Sequence, residues 1–536
     1  MKEKPNVLVI LSDQQRFDTI KVAGYPHMIT PNLDKLVKEG CLYRNAYSSN
    51  PICMPARHDL LMGMPSAAHG FFSNCKDRPV ADYRIPTLPR LFAENGYRTA
   101  AIGKMHFYPT RMHHGYSEMY LMEEIPKNRQ DDAYASYLKE IGCEEIENLH
   151  GVRPYVYHEP QTAQVDLPNY ETNWISDKVT DWIDNNGDHP FMLCVGYIKP
   201  HPPWDIPAEY QGIYQDKDIP KAIERSREFP NNPEFDPWYG DGDTEEEKRK
   251  IREAYYTAIT LVDESVGKII EHLRERGQLD NTLVIFTSDH GEMLQDKGYY
   301  SKELPYEGSA HIPMIVRYPE KFAAGEERTE FVDLTDIMPT CLDIAGIEYP
   351  QTGYKMYGAS VLDAKPANKN REYVMSATGY LNDKRLAMCR THEYKYVYRY
   401  IRGTEEMYDM INDKEELHNC IHEMRDTEVY RDLRNRVLAY EEKWGPKGAV
   451  KDGDLIQIEG DYHDSDLAGK YHLWSNHQFQ NMTELKGKAR LDQFDKEIEK
   501  ACNGNIVNFE NQQWKEDYQT GRKEYCEDAV DSAFLS

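Results

Sequence analysis

Four short apolar runs, each giving way to titratable residues, constrain what this chain can fold into more than any other feature. Residues 6–11 (NVLVIL) run into Ser12-Asp13-Gln14-Gln15-Arg16, and residues 98–102 into Gly103-Lys104-Met105-His106. Residues 191–197 (FMLCVGY) precede Lys199-Pro200-His201-Pro202-Pro203-Trp204, and residues 282–287 (TLVIFT) precede Ser288-Asp289-His290-Gly291. Continuous β-branched and apolar runs of this length read as parallel strands buried on both faces. In open α/β sheets, ligands bind outside the carboxyl ends of the strands, so clusters far apart in sequence can meet on one rim. A polar loop after one strand is ordinary. Four in succession, each carrying Asp, His or Lys, predict a shared site.

The rest of the chain fits around that sheet. Residues 313–316 give a fifth strand. Helices are expected at 32–39 and over about 245–276, where apolar residues recur at 258, 259, 262, 266, 269, 270 and 273. From about residue 371 the pattern alternates as antiparallel strands do, and a helix is expected at 427–443. The expected architecture is α/β: a large, central, mostly parallel sheet flanked by helices, with a smaller C-terminal α+β domain that contains an antiparallel sheet. The expected boundaries are 1–370 for the large domain, 371–425 for the small one, and 426–536 for an extension that packs on the site's rim or on a subunit interface.

Charge narrows the partners. The 536 residues carry 64 Lys+Arg against 91 Asp+Glu, a net of −27. Such a surface argues against nonspecific binding to nucleic acid or to anionic membranes, both of which need basic patches. No run reaches the ~20 apolar residues of a membrane span. The chain as given shows no signal-peptide core and is expected to be cytoplasmic. The ten cysteines occur singly, without a CxxC pair, and read as reduced thiols.

One of them has a distinctive setting. Asn50-Pro51-Ile52-Cys53-Met54-Pro55-Ala56-Arg57 places a cysteine at a helix start, near positive backbone dipoles, with an arginine one turn on. Cys-x-Pro-x-Arg resembles the modification motif of the formylglycine-dependent (type I) sulfatases of the alkaline phosphatase superfamily. Further segments carry the resemblance: NVLVILSDQQ at 6–15, PNLDKL at 31–36, GYRT at 96–99 with GKMH at 103–106, and TSDHGE at 287–292. Lys302 with Tyr306, Glu307 and Pro313, and Met407-Tyr408-Asp409 with Asp413, Glu416 and Asn419, extend it to about residue 420.

The resemblance implies roles residue by residue. Asp13, Gln14, Asp289 and His290 match metal-ligand positions; the family implies Ca2+, while Gln14 and His290 in place of the more usual Asp and Asn leave Mn2+ or Mg2+ open. Cys53 is expected to be converted to formylglycine by a maturation enzyme, giving a geminal-diol nucleophile that splits sulfate transfer into two steps. Arg57 is expected to hold the diol and the metal site, Lys104 and Lys302 to contact sulfate oxygens, and His106 to accept the diol proton. His201 is expected to protonate the leaving alkoxide with Lys302, and Asn74 to face substrate.

The implied reaction is hydrolysis of a small or carbohydrate sulfate ester. The nearest alternative is a phosphonate monoester or phosphodiester hydrolase of the same superfamily, towards which Gln14 and His290 lean. A non-catalytic binding protein for sulfated ligands is a third possibility. The acidic surface favours a small or short substrate over an extended sulfated polymer, and a homo-oligomer is open. His113-His114, His311, Tyr462-His463 and residues 471–474 are read as loop, core or rim residues.

Overall fold

Strand β1 (Asn6–Asp13) lies in the middle of a mixed sheet whose register decides where the polar clusters end. The structure is a computed structural model and describes residues 4–74, 82–126, 128–153, 158–225, 244–362, 371–381, 383–459, 485 and 487–502. The remaining strands of this sheet are β2 (Cys41–Tyr47), β3 (Arg98–Gly103), β4 (Glu118–Leu121), β5 (Phe191–Pro200), β6 (Thr282–Ser288), β7 (Met314–Arg317) and β8 (Glu326–Asp333). Their order is β8-β2-β7-β6-β1-β5-β3-β4. Only β7 runs against the others. The expected strands are present, and β1 and β5 run on to Asp13 and Pro200, which pair with each other.

Alternation along β1 feeds two cores. Val7, Val9 and Leu11 join one apolar cluster with helix α2 (Cys53–Met62), and Leu8 and Ile10 join another. That second cluster takes in α1 (Pro31–Glu39), α3 (Glu171–Asn186) and α4 (Glu245–Glu275). Burying each such aliphatic side chain stabilises the fold by about 1.5–3 kcal/mol. Helix α4 starts in a Thr244/Glu247 capping box, with Glu245 and Glu246 exposed in its first turn.

Strands β2, β4 and β8 were not legible as apolar runs. β4 and β8 are the sheet's edges, and β8 (EERTEFVD) alternates exposed charge with buried Arg328, Phe331 and Val332.

The C-terminal part forms a four-stranded antiparallel meander of β9 (Tyr373–Tyr380), β10 (Asp383–Thr391), β11 (Tyr394–Arg399) and β12 (Thr404–Asp409). Helix α5 (Glu428–Trp444) lays Leu433, Val437 and Tyr440 on it. The meander meets the large sheet through Tyr47, Ala310, Phe331, Val374, Leu386, Met388 and Val397. The N–H of Ala377 donates to the carbonyl of Ser49 (3.0 Å), just ahead of Cys53.

Helix α6 (Gly487–Cys502) docks elsewhere. Its Glu497 carboxylate accepts from the N–H groups of Glu147 and Asn148, and its Arg490 pairs with Glu147. The tail features at 462–463 and 471–474 lie outside the described residues. No helix among the described residues is long and apolar enough to cross a membrane.

Candidate active site

The sheet brings the four sequence clusters to one rim. Asp13 ends β1; Lys104 follows β3, His201 follows β5, and Asp289 and His290 follow β6. Helix α2 enters from the side with Cys53 as its first residue, and Arg57 sits four residues on, on the same face. A Gly–Gly approach fixes the Lys104 turn. A Cβ at Gly103 would lie 2.0 Å from the Gly196 carbonyl oxygen, and one at Gly196 would lie 2.0 Å from that of Lys104. Only glycine permits this spacing, and Gly103 also adopts φ +92°.

Asp13, Cys53, Asp289 and His290 offer ligand atoms that all lie within 4.8 Å of one another, and all four residues are fully buried. The Cys53 thiol lies 3.0 Å from His290 Nε2 and 3.8 Å from Asp13 Oδ1. His290 Nδ1 lies 2.9 Å from the Gly291 carbonyl. A carbonyl only accepts, so Nδ1 carries the proton and Nε2 turns a lone pair towards the cluster. Arg57 spans both carboxylates, with Nε 2.8 Å from Asp289 and a terminal nitrogen 3.2 Å from Asp13. Gln14 adopts φ 67°; its N–H donates to Asp289 (3.1 Å) and its amide nitrogen donates to Glu292, which turns its oxygen to Lys302 at 2.7 Å.

The electrostatics follow from this crowding. Burial and the facing Asp289 both push Asp13 up, but the permanent cations Lys104 and Arg57 hold it below its ordinary value. Burial raises Asp289 too, yet Arg57, Lys104 and the N–H of Gln14 hold it low. Burial and Asp13 push the Cys53 thiol to about 12, so it stays protonated. Burial holds His290 and His201 neutral, with both shifted down.

Cations ring the cluster. Lys104, fully buried, pairs with Asp13 and with Glu124. Lys302 donates to Gln14 and to His201 Nε2, the latter at 2.8 Å. His201 Nδ1 donates to the Pro202 carbonyl at 2.6 Å, which fixes its tautomer in the same way as for His290. His106 follows Lys104 with φ 55°, and its N–H donates to Glu123 at 3.0 Å. Asn74 accepts from the N–H of Met54 (3.0 Å) and so satisfies an open donor of the α2 start.

Two expected loop features are structural. His311 stacks between Phe17 and Tyr47 and bonds Glu307 and the Arg44 carbonyl. His114 packs against His58 and Phe107.

The sequence reading missed Glu123, Glu124 and Arg153, and gave Glu292, the last residue of its TSDHGE segment, no role. The signal for the first pair was faint: EMYL at β4 runs into Met122-Glu123-Glu124, but this short edge strand is only half-buried and does not read as an apolar run. Glu123 accepts from Met105 and His106 and is lifted by burial to about 7.

Two buried carboxylates and an imidazole with its lone pair directed inward suit a divalent cation, whereas the amide oxygen of Gln14 is turned to Lys302 in this structure. Comparison with known proteins agrees with the geometry. Residues 5–347 match the Sulfatase family, and residues 295–443 match the family described as N-sulphoglucosamine sulphohydrolase, C-terminal. The arylsulfatase of Clostridium perfringens is 30% identical over 485 residues, covering 84% of this chain and 97% of that protein. The choline-sulfatase of Rhizobium meliloti is 27% identical over 511 residues, covering 91% and 97%. Among solved structures, the phosphonate monoester hydrolase of Agrobacterium radiobacter shares the fold, with a TM-score of 0.70, 24% identity and coverage of 82% of this chain and 96% of that one. These matches over most of its length mean that the chain belongs to the sulfatase family, as a sulfuric ester hydrolase.

Proposed function

We propose that this enzyme releases inorganic sulfate from a small or short carbohydrate sulfate ester, with Cys53 matured to formylglycine and a divalent cation held by Asp13, Gln14, Asp289 and His290. The observation that carries the proposal is the buried convergence of Cys53 with two carboxylates and His290, all within 4.8 Å, at the start of α2. The cation supplies fixed positive charge for the sulfate oxygens, and the hydrated aldehyde supplies the nucleophilic oxygen. Ca2+ is the first expectation. The imidazole donor keeps Mn2+ and Mg2+ as alternatives.

The chain's own residues do the rest. Arg57 clamps Asp13 to Asp289 and offsets their repulsion. Lys104 and Lys302 place two ammonium groups where sulfuryl charge must be held. His106 accepts a proton from the nucleophile's side. His201 turns Nε2, which accepts from Lys302 in this structure, to the ester oxygen and, once protonated there, gives it the proton. Burial of Asp13, Cys53, His201 and His290 keeps bulk water out. Asn74, whose side-chain oxygen accepts from Met54 at the α2 start, is the proposed substrate-facing residue.

The acidic surface supports a small or oligosaccharide ester over a long polyanion. A maturation enzyme acting on Cys53 is the implied partner, and a cytoplasmic location is the companion expectation. Hydrolysis of phosphonate monoesters is the second reading, favoured by the Gln14/His290 pair. Rates on aryl sulfate and aryl phosphonate, measured on protein whose Cys53 peptide carries the aldehyde by mass spectrometry, test both. Faster sulfate turnover supports the proposal; phosphonate turnover without sulfate release contradicts it.

A further inference from the structure

The rule that placed Asp13, Lys104, His201 and Asp289 on the rim applies to one more strand. β4 ends at Leu121, and the two residues beyond Met122 are carboxylates that turn in opposite directions. Glu123 binds backbone: its carboxylate takes the N–H groups of Met105 (3.1 Å) and His106 (3.0 Å), while its own N–H donates to Asp132 at 2.6 Å. Glu124 binds side chains. One of its oxygens accepts from Lys104 at 2.5 Å; the other pairs with Arg153 and lies 3.5 Å from His201 Nδ1. Glu124 is buried, as are Lys104, Arg153 and His201. The carboxylate therefore stands behind the imidazole, on the side opposite Lys302.

This matters for proton donation. His201 must carry a second proton, on Nε2, to act as an acid, because Nδ1–H is committed to the Pro202 carbonyl; the Lys302 N–H that Nε2 accepts in this structure must then turn away, with Lys302 kept by Gln14. The imidazolium so formed stands beside Lys302 and close to Lys104 and Arg153, in a site with little water to screen them. Glu124, ahead of Asp13, is the carboxylate that offsets its charge most. Burial acts to raise Glu124, but His201, Lys104, Arg153 and Lys302 outweigh it and keep it ionised.

We propose that Glu124 is the positioning residue for the leaving-group acid: it holds His201 between itself and Lys302 and makes protonation at Nε2 possible. The claim rests on the reading of His201 given above. As the bond from sulfur to the ester oxygen breaks, its electron pair stays on that oxygen and the sulfuryl group passes to the nucleophile at position 53. The oxygen takes the Nε2 proton of His201, the alcohol departs, and His201 is left neutral with Nδ1–H in place. A proton from solvent restores the acid.

Leaving-group dependence separates this role from a structural one. A nitrophenolate leaves without help, whereas an alkoxide needs the proton. Matured wild type, Glu124→Gln and His201→Ala, along with the double variant, are compared on 4-nitrophenyl sulfate and on an alkyl sulfate. Glu124→Gln is expected to lose about 10²-fold in kcat/KM on the alkyl ester and no more than about 3-fold on the nitrophenyl ester. His201→Ala is expected to show the same selectivity, and the double variant to be no worse than His201→Ala within about 3-fold.

Equal losses of Glu124→Gln on both esters, beside a selective His201→Ala, overturn the proposal alone and assign Glu124 to sulfate binding through Lys104. A non-selective His201→Ala overturns the reading of His201 itself, and this proposal with it. If Glu124→Gln does not fold, Glu124→Ala with added formate replaces it. Rescue confined to the alkyl ester supports the proposal, and rescue on both esters or on neither overturns it.

Discussion

Two buried charge clusters lie on either side of the α2 start, and they are built on different plans. At the junction of the two sheets, Lys395 donates to the Pro305 carbonyl (2.9 Å), Glu416 (2.5 Å) and Glu307 (2.7 Å). Glu307 in turn accepts from Tyr47 and His311, and Glu416 from the N–H of Glu307. Both carboxylates there share the Lys395 cation, although they also face each other and Glu307 pushes Glu416 up. On the rim, Asp13 and Asp289 face each other and share Arg57, and Asp289 raises the proton affinity of Asp13. They sit against His290 with its lone pair directed inward, while Lys104, Lys302 and Arg153 bring further positive charge. Desolvated charges are tolerated when they are paired. Both clusters bring carboxylates together around shared cations; of the two, the rim adds a thiol and an imidazole lone pair facing inward, which suits a site completed by a cation and an anionic ester. The lesson is that burial of charge does not distinguish function from structure, whereas inward-facing donor atoms do.

The largest break in the comparison comes from the nucleophile. Cys53→Ala is expected to lower kcat/KM by about 10⁴-fold or more while shifting Tm by no more than about 2 °C. Asp289→Asn should lose about 10³-fold, and a chelator should lower Tm in the wild type but not in this variant.

The junction should respond the other way. Lys395→Met leaves Glu307 and Glu416 buried without their cation, and is expected to cost about 3–5 kcal/mol in urea denaturation. The protein that remains folded should keep kcat/KM within about 3-fold of wild type.

Glu123 sharpens the boundary between the two kinds of site. Burial lifts it to about 7, against the 4.5 of a free glutamate. The folded state therefore binds more protons than the unfolded state between these values. Its contribution is fully present below 4.5 and is lost as pH rises through about 7, with a slope of up to about 1.4 kcal/mol per pH unit. Glu123→Gln should flatten that slope, measured by denaturation of metal-free protein at successive pH values. Glu497→Gln, at the α6 clamp, is the smallest change: about 1 kcal/mol of stability and no measurable loss of activity.

The parts legible in the sequence share one property. Asp13, Lys104, His201 and Asp289 end strands buried on both faces, whose apolar runs announce themselves, and Cys53 and Arg57 carry their own motif. Glu124 was hidden because β4 is an edge strand: Glu118 turns outward to Arg98, and the run is too polar to read as core. Arg153 and Glu292 lie in loops without periodicity, and only tertiary contact brings Arg153 to Glu124 and Glu292 to Gln14. Strand β8 was hidden for the same reason as β4, its charged residues facing outward at the opposite edge.

The most direct test of the rim as a catalytic cluster is sulfate release measured against the aldehyde content of the Cys53 peptide. Protein is prepared with graded maturation, and both quantities are read on each sample, by ion chromatography and mass spectrometry. The account predicts turnover of an aryl sulfate that rises in proportion to aldehyde content, passes through zero at zero aldehyde, and disappears on chelation. Sulfate release that is independent of the aldehyde, or fully matured and metal-loaded protein that hydrolyses no sulfate ester, would contradict it.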